Sequence, residues 1–574
     1  MINLLNTQIM AIPKKLISRT DAALNDWATN SKIRKLWQSD SSMWTGKDES
    51  QWLGWLTIAQ EQLERLPSLE GFAEEIQSAG FTDILVLGMG GSSLCPEVIS
   101  KTFNPADNYP KLHVLDSTDP EQIKEIESQV NLEKTLFVIS SKSGSTLEPN
   151  IFYKYFFEKL RQKLGDISEV ARHFIAITDP GSPLEKLAHE KHFRTVFHGK
   201  TSIGGRYSAL SDFGMVPAAL IGIKMRDFLS QTISMVDSCK PNISLGENPG
   251  VGLGLLLGIS GSEGRNKITF FCSRQIKHLG IWLEQLLAES TGKEGKGLIP
   301  ITGEAIADPK YYDNDRVFVY LKVEADNDEK FEAALLKLQD NGHPIIRIVM
   351  KDIYGLGQEF FRWEMATAIA GTCFKINPFD QPDVEASKDA TRQITDEFEK
   401  TGKLDREKPV YEEEGIQVFA NEGSSHSQKN SSLKEVLKVN LSKIKRGDYF
   451  GILAYLPMDL GYETQMQQMR LAVRDSKKVA TCLEFGPRFL HSTGQVYKGG
   501  PNTGVFLEVT GENRDDLSIP GLRATFGVVE MAQARGDFQV LTSQKNRRAL
   551  RVHLMKNVRE NLAKLSEAFF EALN

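Results

Sequence analysis

From Thr82 onward the chain alternates short apolar runs with longer segments of helical character. DILVLG (83–88), KLHVLD (111–116), TLFVI (135–139), HFIAIT (173–178) and FRTVFH (193–198) form a first series. KITFFCS (267–273), RVFVYLKV (316–323), PIIRIVM (344–350) and FKIN (374–377) form a second. Strand-like runs separated by helical stretches predict parallel sheets with crossover helices. The expected fold class is α/β, with two subdomains at 81–240 and 241–400. Ahead of them, residues 1–80 read as a helical arm, with Trp27, Trp37, Trp44, Trp52 and Trp55 spaced among charges and read as packing residues. Behind them, the polar segment 401–432 contains GSSHSQKNSS (423–432), the composition of a flexible linker. The last part, 433–574, has strand-like runs at 449–456, 479–485, 503–510 and 549–554. LSKIKR, ETQMQQMRLAVRDS and VRENLAKLSEAFFEAL read as its helices. An α+β domain is expected there.

Composition narrows the class. A chain of 574 residues can bury a large core, and 40% hydrophobic with 25% charged residues is ordinary for a globular protein. The net charge of −6 gives no global attraction to nucleic acid or anionic lipid, so neither is an expected partner. Five scattered cysteines without a CxxC pair point to a reducing, cytoplasmic compartment. No apolar run approaches the roughly 18 residues that span a bilayer. The first residues, MINLLNTQIMAIPKKL, are interrupted by Asn6, Thr7 and Gln8 and lack a leading positive region, so no signal peptide is expected.

Several stretches could carry chemistry. Ser141-Lys142-Ser143-Gly144-Ser145-Thr146 follows the TLFVI strand and precedes a helix over 147–160. Hydroxyls at a helix N-terminus suit a phosphate monoester, although a capped turn uses the same residues. Gly88-Met89-Gly90-Gly91-Ser92-Ser93 follows DILVL, where glycines admit close approach or simply make a tight turn. In Gly204-Gly205-Arg206-Tyr207-Ser208, a permanently charged guanidinium could face an oxyanion or form a surface ion pair. In QLLAESTGK (285–293), Gln285 and Glu289 project from one helix face, and Glu289 is either a general base or a solvated carboxylate. Asn377 to Lys388 holds Gln381 and Lys388. His491 lies in GPRFLHSTGQ (486–495), where a histidine can move protons near neutral pH.

Taken together, these motifs resemble the phosphoglucose isomerase (glucose-6-phosphate isomerase) family. GMGGSS looks like its glycine-glycine-serine turn and SKSGSTLE like its phosphate loop. GGRYS, QLLAESTGK and FDQPDVEASK follow in the family's order, so the resemblance covers about 88–388. It implies two SIS-type three-layer α/β/α subdomains. WLGWL and HSTGQ…KGGPNTG further resemble the isomerase half of fused transaldolase–phosphoglucose isomerase proteins. No run of eight βα units precedes residue 80, so the transaldolase barrel has no room and transaldolase activity is not expected.

The resemblance implies roles residue by residue. Ser141, Lys142, Ser143 and Thr146 match the phosphate loop, and Gly91 and Ser92 match the turn lining the sugar. Glu289 matches the base that moves a proton between carbons 1 and 2, with Gln285 beside it. Arg206 matches the charge-stabilising arginine. Gln381 assists the phosphate site and Lys388 the sugar oxygens. One element departs from the family pattern. The ring-opening histidine belongs between the glutamate and lysine motifs, where this chain holds only His343, in NGHPIIRI. His491 is the replacement candidate, supplied by the last domain either within the chain or across a dimer interface.

The expected reaction interconverts glucose 6-phosphate and fructose 6-phosphate through a cis-enediol, in glycolysis and gluconeogenesis. The expected partners are the hexose phosphate and a second copy in a homodimer, with no metal or other cofactor. A bifunctional phosphoglucose/phosphomannose isomerase and a non-catalytic SIS-type sugar-phosphate sensor are the alternatives. A third reading makes the last domain a partner-binding module.

Overall fold

A computed structural model of the chain describes residues 5–420, 432–543 and 547–573. The first strand, β1 (Thr7–Ala11), departs from the helical arm expected for the N-terminal region. It pairs antiparallel with a strand more than 300 residues away, Ile345–Met350. The rest of the arm is helical or turned. Its tryptophans are anchored: Trp44 Nε1 donates to Ala368 O (2.8 Å) and Trp55 stacks on Tyr207 at 5.4 Å between ring centroids.

The first sheet contains β2 (Asp83–Leu87), β3 (Lys111–Leu115), β4 (Thr135–Ser140), β5 (Phe174–Thr178) and β6 (Thr195–His198). Its order is β3-β2-β4-β5-β6, all parallel. Every side chain of β2, β4 and β5 is buried, because helices cover both faces. The chain leaves β2 toward β3 on one side and later returns as β4 on the other. The carboxyl ends of β2 and β4 therefore flank a topological switch point, the crevice where open α/β sheets bind ligands. The glycine turn follows β2 and the hydroxyl cluster follows β4.

The second sheet adds β7 (Lys267–Cys272), β8 (Ile299–Ile301), β9 (Arg316–Val323) and β10 (Ile345–Met350), in the order β1-β10-β9-β7-β8. FKIN is not a strand. Phe374 closes the Leu356–Phe374 helix, and Lys375 ends it in the left-handed region at φ 53°. That helix is buried almost all round, so its apolar end reads locally like a strand.

The third sheet contains β11 (Tyr411–Glu413), β12 (Ile416–Ala420), β13 (Tyr449–Tyr455), β14 (Ala480–Phe485), β15 (Gly504–Gly511) and β16 (Arg548–Leu554). Its order is β11-β12-β16-β15-β13-β14. The strands β13 to β16 run parallel, with β11 and β12 antiparallel at one edge. The expected α+β layout is thus a mainly parallel α/β sheet, because the helices Leu460–Lys477 and Phe526–Ser543 lie between successive strands. LSKIKR is not a helix: the Leu433–Leu441 helix stops at its first residue. β11 and β12 occupy part of the segment read as linker, whose residues 421–431 lie outside the described part.

The helix Phe526–Ser543 joins the third sheet to the first. Phe526 and Val529 share a core with Leu85, Leu87 and Phe137, while Ala534, Phe538 and Leu541 pack with Tyr449, Leu453 and Phe506. Phe526 stacks on Phe152 at 6.0 Å. One helix thus fixes where the third sheet sits over the carboxyl ends of the first. Deep in the second subdomain, Trp363 is wholly buried with its ring 5.3 Å from Phe270. Trp363→Ala is expected to cost about 3–5 kcal/mol through the cavity it leaves, read as a lower urea midpoint.

Candidate active site

The turn after β2 is shaped by what presses on it. Gly90 has φ +57°, and a Cβ there would lie 2.8 Å from Gln285 Nε2 and 3.0 Å from His491 O. A Cβ on Gly91 would lie 1.9 Å from Gly205 O. The glycines let three distant segments close on one turn, which a hairpin of the chain on itself would not require. Ser92, next in the turn, is buried.

After β4 the chain passes through 141–146 into the helix Leu147–Leu164. Ser141 Oγ donates to Thr146 Oγ1 at 3.1 Å, and Ser143 Oγ accepts from Ser145 N at 3.3 Å. Thr146 stands at the N-cap, but its side chain does not cap the helix. The hydroxyls form a cluster of their own beside the positive end of the helix dipole. Lys142 pairs with Asp179.

The Arg206 side chain is 3% exposed and that of Glu289 is 9% exposed, and they form an ion pair at 3.3 Å. Arg206 also donates to Asp380 O (3.1 Å), Phe379 O (3.5 Å) and the Gln381 side chain. Gln285 Nε2 donates to the other Glu289 oxygen at 3.0 Å and to His491 O at 2.9 Å. Gln285 Oε1 is buried without a hydrogen-bond partner among the described residues. An acceptor in that position is a place for a hydroxyl donor.

His491 follows β14 and lies 3.0 Å from Glu148 Oε1 through Nε2. Gln533 Nε2 donates to the same oxygen at 2.6 Å. Burial pushes the Glu148 carboxyl up, but attraction and hydrogen bonding to His491 outweigh it and hold the carboxyl below its ordinary value. The Lys388 charge contributes in the same direction, although its ammonium also pairs with Glu385 at 2.9 Å. Both members of the His491–Glu148 pair belong to the same chain, so that contact needs no dimer interface. His343 packs 5.3 Å from Phe318, and burial pushes its imidazole down to about 4.

The segment around His491 is clamped on both sides. Arg488 pairs with Glu97 (2.5 Å) and Asp116 (2.8 Å) on the first subdomain. Gln495 accepts from Asp383 N (3.0 Å) and Val384 N (3.2 Å) and donates to Gly292 O (3.0 Å). The ESTGK, FDQPD and HSTGQ stretches therefore interlock.

The structure gathers Gly91, Arg206, Gln285, Glu289, Gln381 and His491 through direct contacts. Ser141, Ser143 and Thr146 sit at the neighbouring strand end, and Lys388 couples through Glu148. Reading the sequence missed Glu148, Lys293, Gln495 and Gln533. Glu148 is a first-turn carboxylate of the Leu147–Leu164 helix, and its partner is 343 residues away. No group of three or more His, Cys, Asp or Glu among the described residues could hold a metal ion. No helix among them is long and apolar enough to cross a membrane.

Comparison with known proteins bears on the same region. Residues 64–300 match the phosphoglucose isomerase family model. A probable glucose-6-phosphate isomerase of Methanococcus maripaludis is 28% identical over 372 residues, covering 58% of this chain and 82% of that protein. The glucose-6-phosphate isomerase of Trichormus variabilis is 32% identical over 308 residues, covering 50% of this chain and only 56% of its own length. Among solved structures, a hypothetical protein from Thermus thermophilus superposes with a TM-score of 0.57 at 25% identity, over 67% of this chain and 99% of that one. A glucose-6-phosphate isomerase from Chlamydia trachomatis gives 0.50 at 23% identity, over 59% and 74%, which speaks to the fold.

Because a Cβ on Gly91 meets a backbone carbonyl, Gly91→Ala is expected to displace the 204–208 loop and break the Arg206–Glu289 contact. A crystal structure of the variant checks this, and an unmoved Arg206 would refute it.

Proposed function

We propose that this chain, a member of the phosphoglucose isomerase family through residues 64–300, interconverts glucose 6-phosphate and fructose 6-phosphate, a step shared by glycolysis and gluconeogenesis. The observation that carries this reading is the buried Glu289 carboxylate, held by Arg206 on one oxygen and Gln285 on the other. An aldose–ketose isomerase must take a proton from carbon 2 of the aldose and return it to carbon 1. One carboxylate serves both transfers through a cis-enediol, and a positioned base of this kind contributes about 10²–10⁴-fold. Arg206 is fixed beside it, so its charge stabilises the enediolate oxygen without reorganisation. Gln285 Oε1 accepts from a sugar hydroxyl.

The hydroxyl cluster at 141–146 takes the phosphate at the helix N-terminus, where dipole and backbone N–H groups favour an anion. Binding energy at that unreacting end orients carbons 1 and 2 over Glu289. His491 exchanges the proton of the ring oxygen, and Glu148 orients its imidazole and supports its positive charge. Ser92 lines the sugar and Lys388 faces its oxygens. Lys142 adds positive charge near the phosphate, while Gln381 acts by fixing Arg206.

The third sheet is part of this site in our reading, because it carries His491; that argues against a detachable partner-binding module. A non-catalytic sensor is not favoured, since it has no use for a base held between two donors. The homodimer suggested by the family resemblance is not needed to bring His491 to Glu148. A cytoplasmic setting fits the five cysteines, all of them free thiols. The likeness to fused transaldolase proteins rests on sequence motifs alone.

A coupled assay converting fructose 6-phosphate to glucose 6-phosphate, run beside mannose 6-phosphate, tests the activity and its range. Glu289→Gln is expected to lower turnover by about 10²–10⁴-fold while sugar-phosphate binding by calorimetry persists; near-normal turnover would sink the assignment. For His491→Ala the expected outcome is loss of action on cyclic substrate with residual action on the open-chain form. Unchanged kinetics on both forms would exclude the ring-opening role.

A further inference from the structure

Four residues beyond Glu289, the chain buries a second cation. The Lys293 side chain is 5% exposed, and its ammonium pairs with Asp380 Oδ1 at 2.7 Å and donates to Asn377 O. Asp380 is half exposed, so the lysine has been drawn inward rather than left at the surface. The backbone that bears it is itself pinned. Gly292 O accepts from Gln495, and a Cβ on Gly292 would lie 2.4 Å from Val496 Cα.

The loop 377–381 lies between this ammonium and Arg206. Arg206 donates to the carbonyls of Phe379 and Asp380 and to the Gln381 side chain, while Lys293 holds the carbonyl of Asn377 and the carboxylate of Asp380. Two cations from different subdomains thus clasp one short loop. The loop's carbonyls, in turn, are what aim the guanidinium of Arg206 at Glu289.

We propose that Lys293 is a positioning residue for the isomerase reaction: by clasping loop 377–381 it fixes the Arg206 guanidinium over the Glu289 carboxylate. This rests on the reading of Glu289 and Arg206 given above. Lys293 does not touch the reacting carbons; it acts through the loop. A compact ammonium suits the task, because it can donate to a carbonyl and a carboxylate at once.

The charged groups facing Lys293 are Arg206 from the 205–207 turn, Glu289 from the helix Leu279–Thr291 and Asp380 from the loop. Burial, with repulsion from Arg206, pushes the ammonium down to about 7 against the pull of Asp380 and Glu289. As pH rises through about 7 the clasp loses its charge, which gives turnover an alkaline limb in that range. Stability moves the other way. Above about 7 the unfolded chain still holds this proton and the folded chain does not, so this group makes stability rise with pH until its ordinary value of 10.5 is reached.

The test is Lys293→Met in the full chain. Turnover is expected to fall by about 10²-fold, the scale of a small misplacement at a reacting centre, with KM changed less than about threefold and thermal stability at neutral pH not reduced. The alkaline limb near 7 should vanish from the residual activity. Wild-type turnover with an unchanged pH profile would overturn the proposal. Should that variant not fold, Asp380→Asn removes the partner charge at a half-exposed position; a fall in kcat without a matching rise in KM supports the clasp, and unaltered kcat overturns it. If the wild-type chain itself fails to interconvert the two hexose phosphates, the functional reading falls, a result distinct from an active enzyme indifferent to Lys293.

Discussion

The structure depends on keeping the Arg206–Glu289 ion pair away from water. Removing two charges from solvent costs several kcal/mol each, and their mutual attraction offsets this only when the remaining donors and acceptors are satisfied. Here the satisfaction comes from elsewhere in the chain. Gln285 completes Glu289, and the carbonyls of Phe379 and Asp380 with the Gln381 side chain complete Arg206. A buried ion pair that needs three separate segments can exist only once those segments are in register. The fold is thereby tied to one arrangement of the site.

Three sheets deliver the parts, and they do so at strand ends. The glycine turn leaves β2, the hydroxyl cluster leaves β4, the arginine loop lies beyond β6, and His491 lies beyond β14. The ends of parallel strands converge on a crevice, and chain leaving a strand there can point side chains inward without breaking the sheet. The third sheet could have been an independent module. It is not, because Phe526–Ser543 has one end in the first subdomain's core and the other in its own. Arg488 and Gln495 then hold the His491 segment at both edges.

Local signals were legible wherever the chemistry is local. The hydroxyls of 141–146 are consecutive, and a strand before them and a helix after them can be read from apolar patterning. Gln285 and Glu289 are one helical turn apart, so their shared face follows from helix geometry. Patterning failed at FKIN, where a helix buried on every side ends in residues that suit a strand equally well. It failed again for the last domain, where four strands read correctly but their parallel pairing did not, since pairing depends on which way the crossover helices carry the chain. The strand β1 was invisible for a related reason: an edge strand is defined by its partner, and its partner is β10.

The sequence by itself determined the α/β class, the order of the motifs, the phosphate seat as a candidate and the likeness of residues 64–300 to phosphoglucose isomerases. These rest on short-range chemistry and on spacing along the chain. Only the tertiary structure decided that His491 meets Glu148 within one chain, that Gln381 is bound to Arg206, and that Lys293 is buried against the loop 377–381. Each of those contacts joins residues dozens to hundreds of positions apart. Nothing local in the chain records such a pairing, because burial, and with it the strength of every charge in the site, is created only when the three sheets close around it.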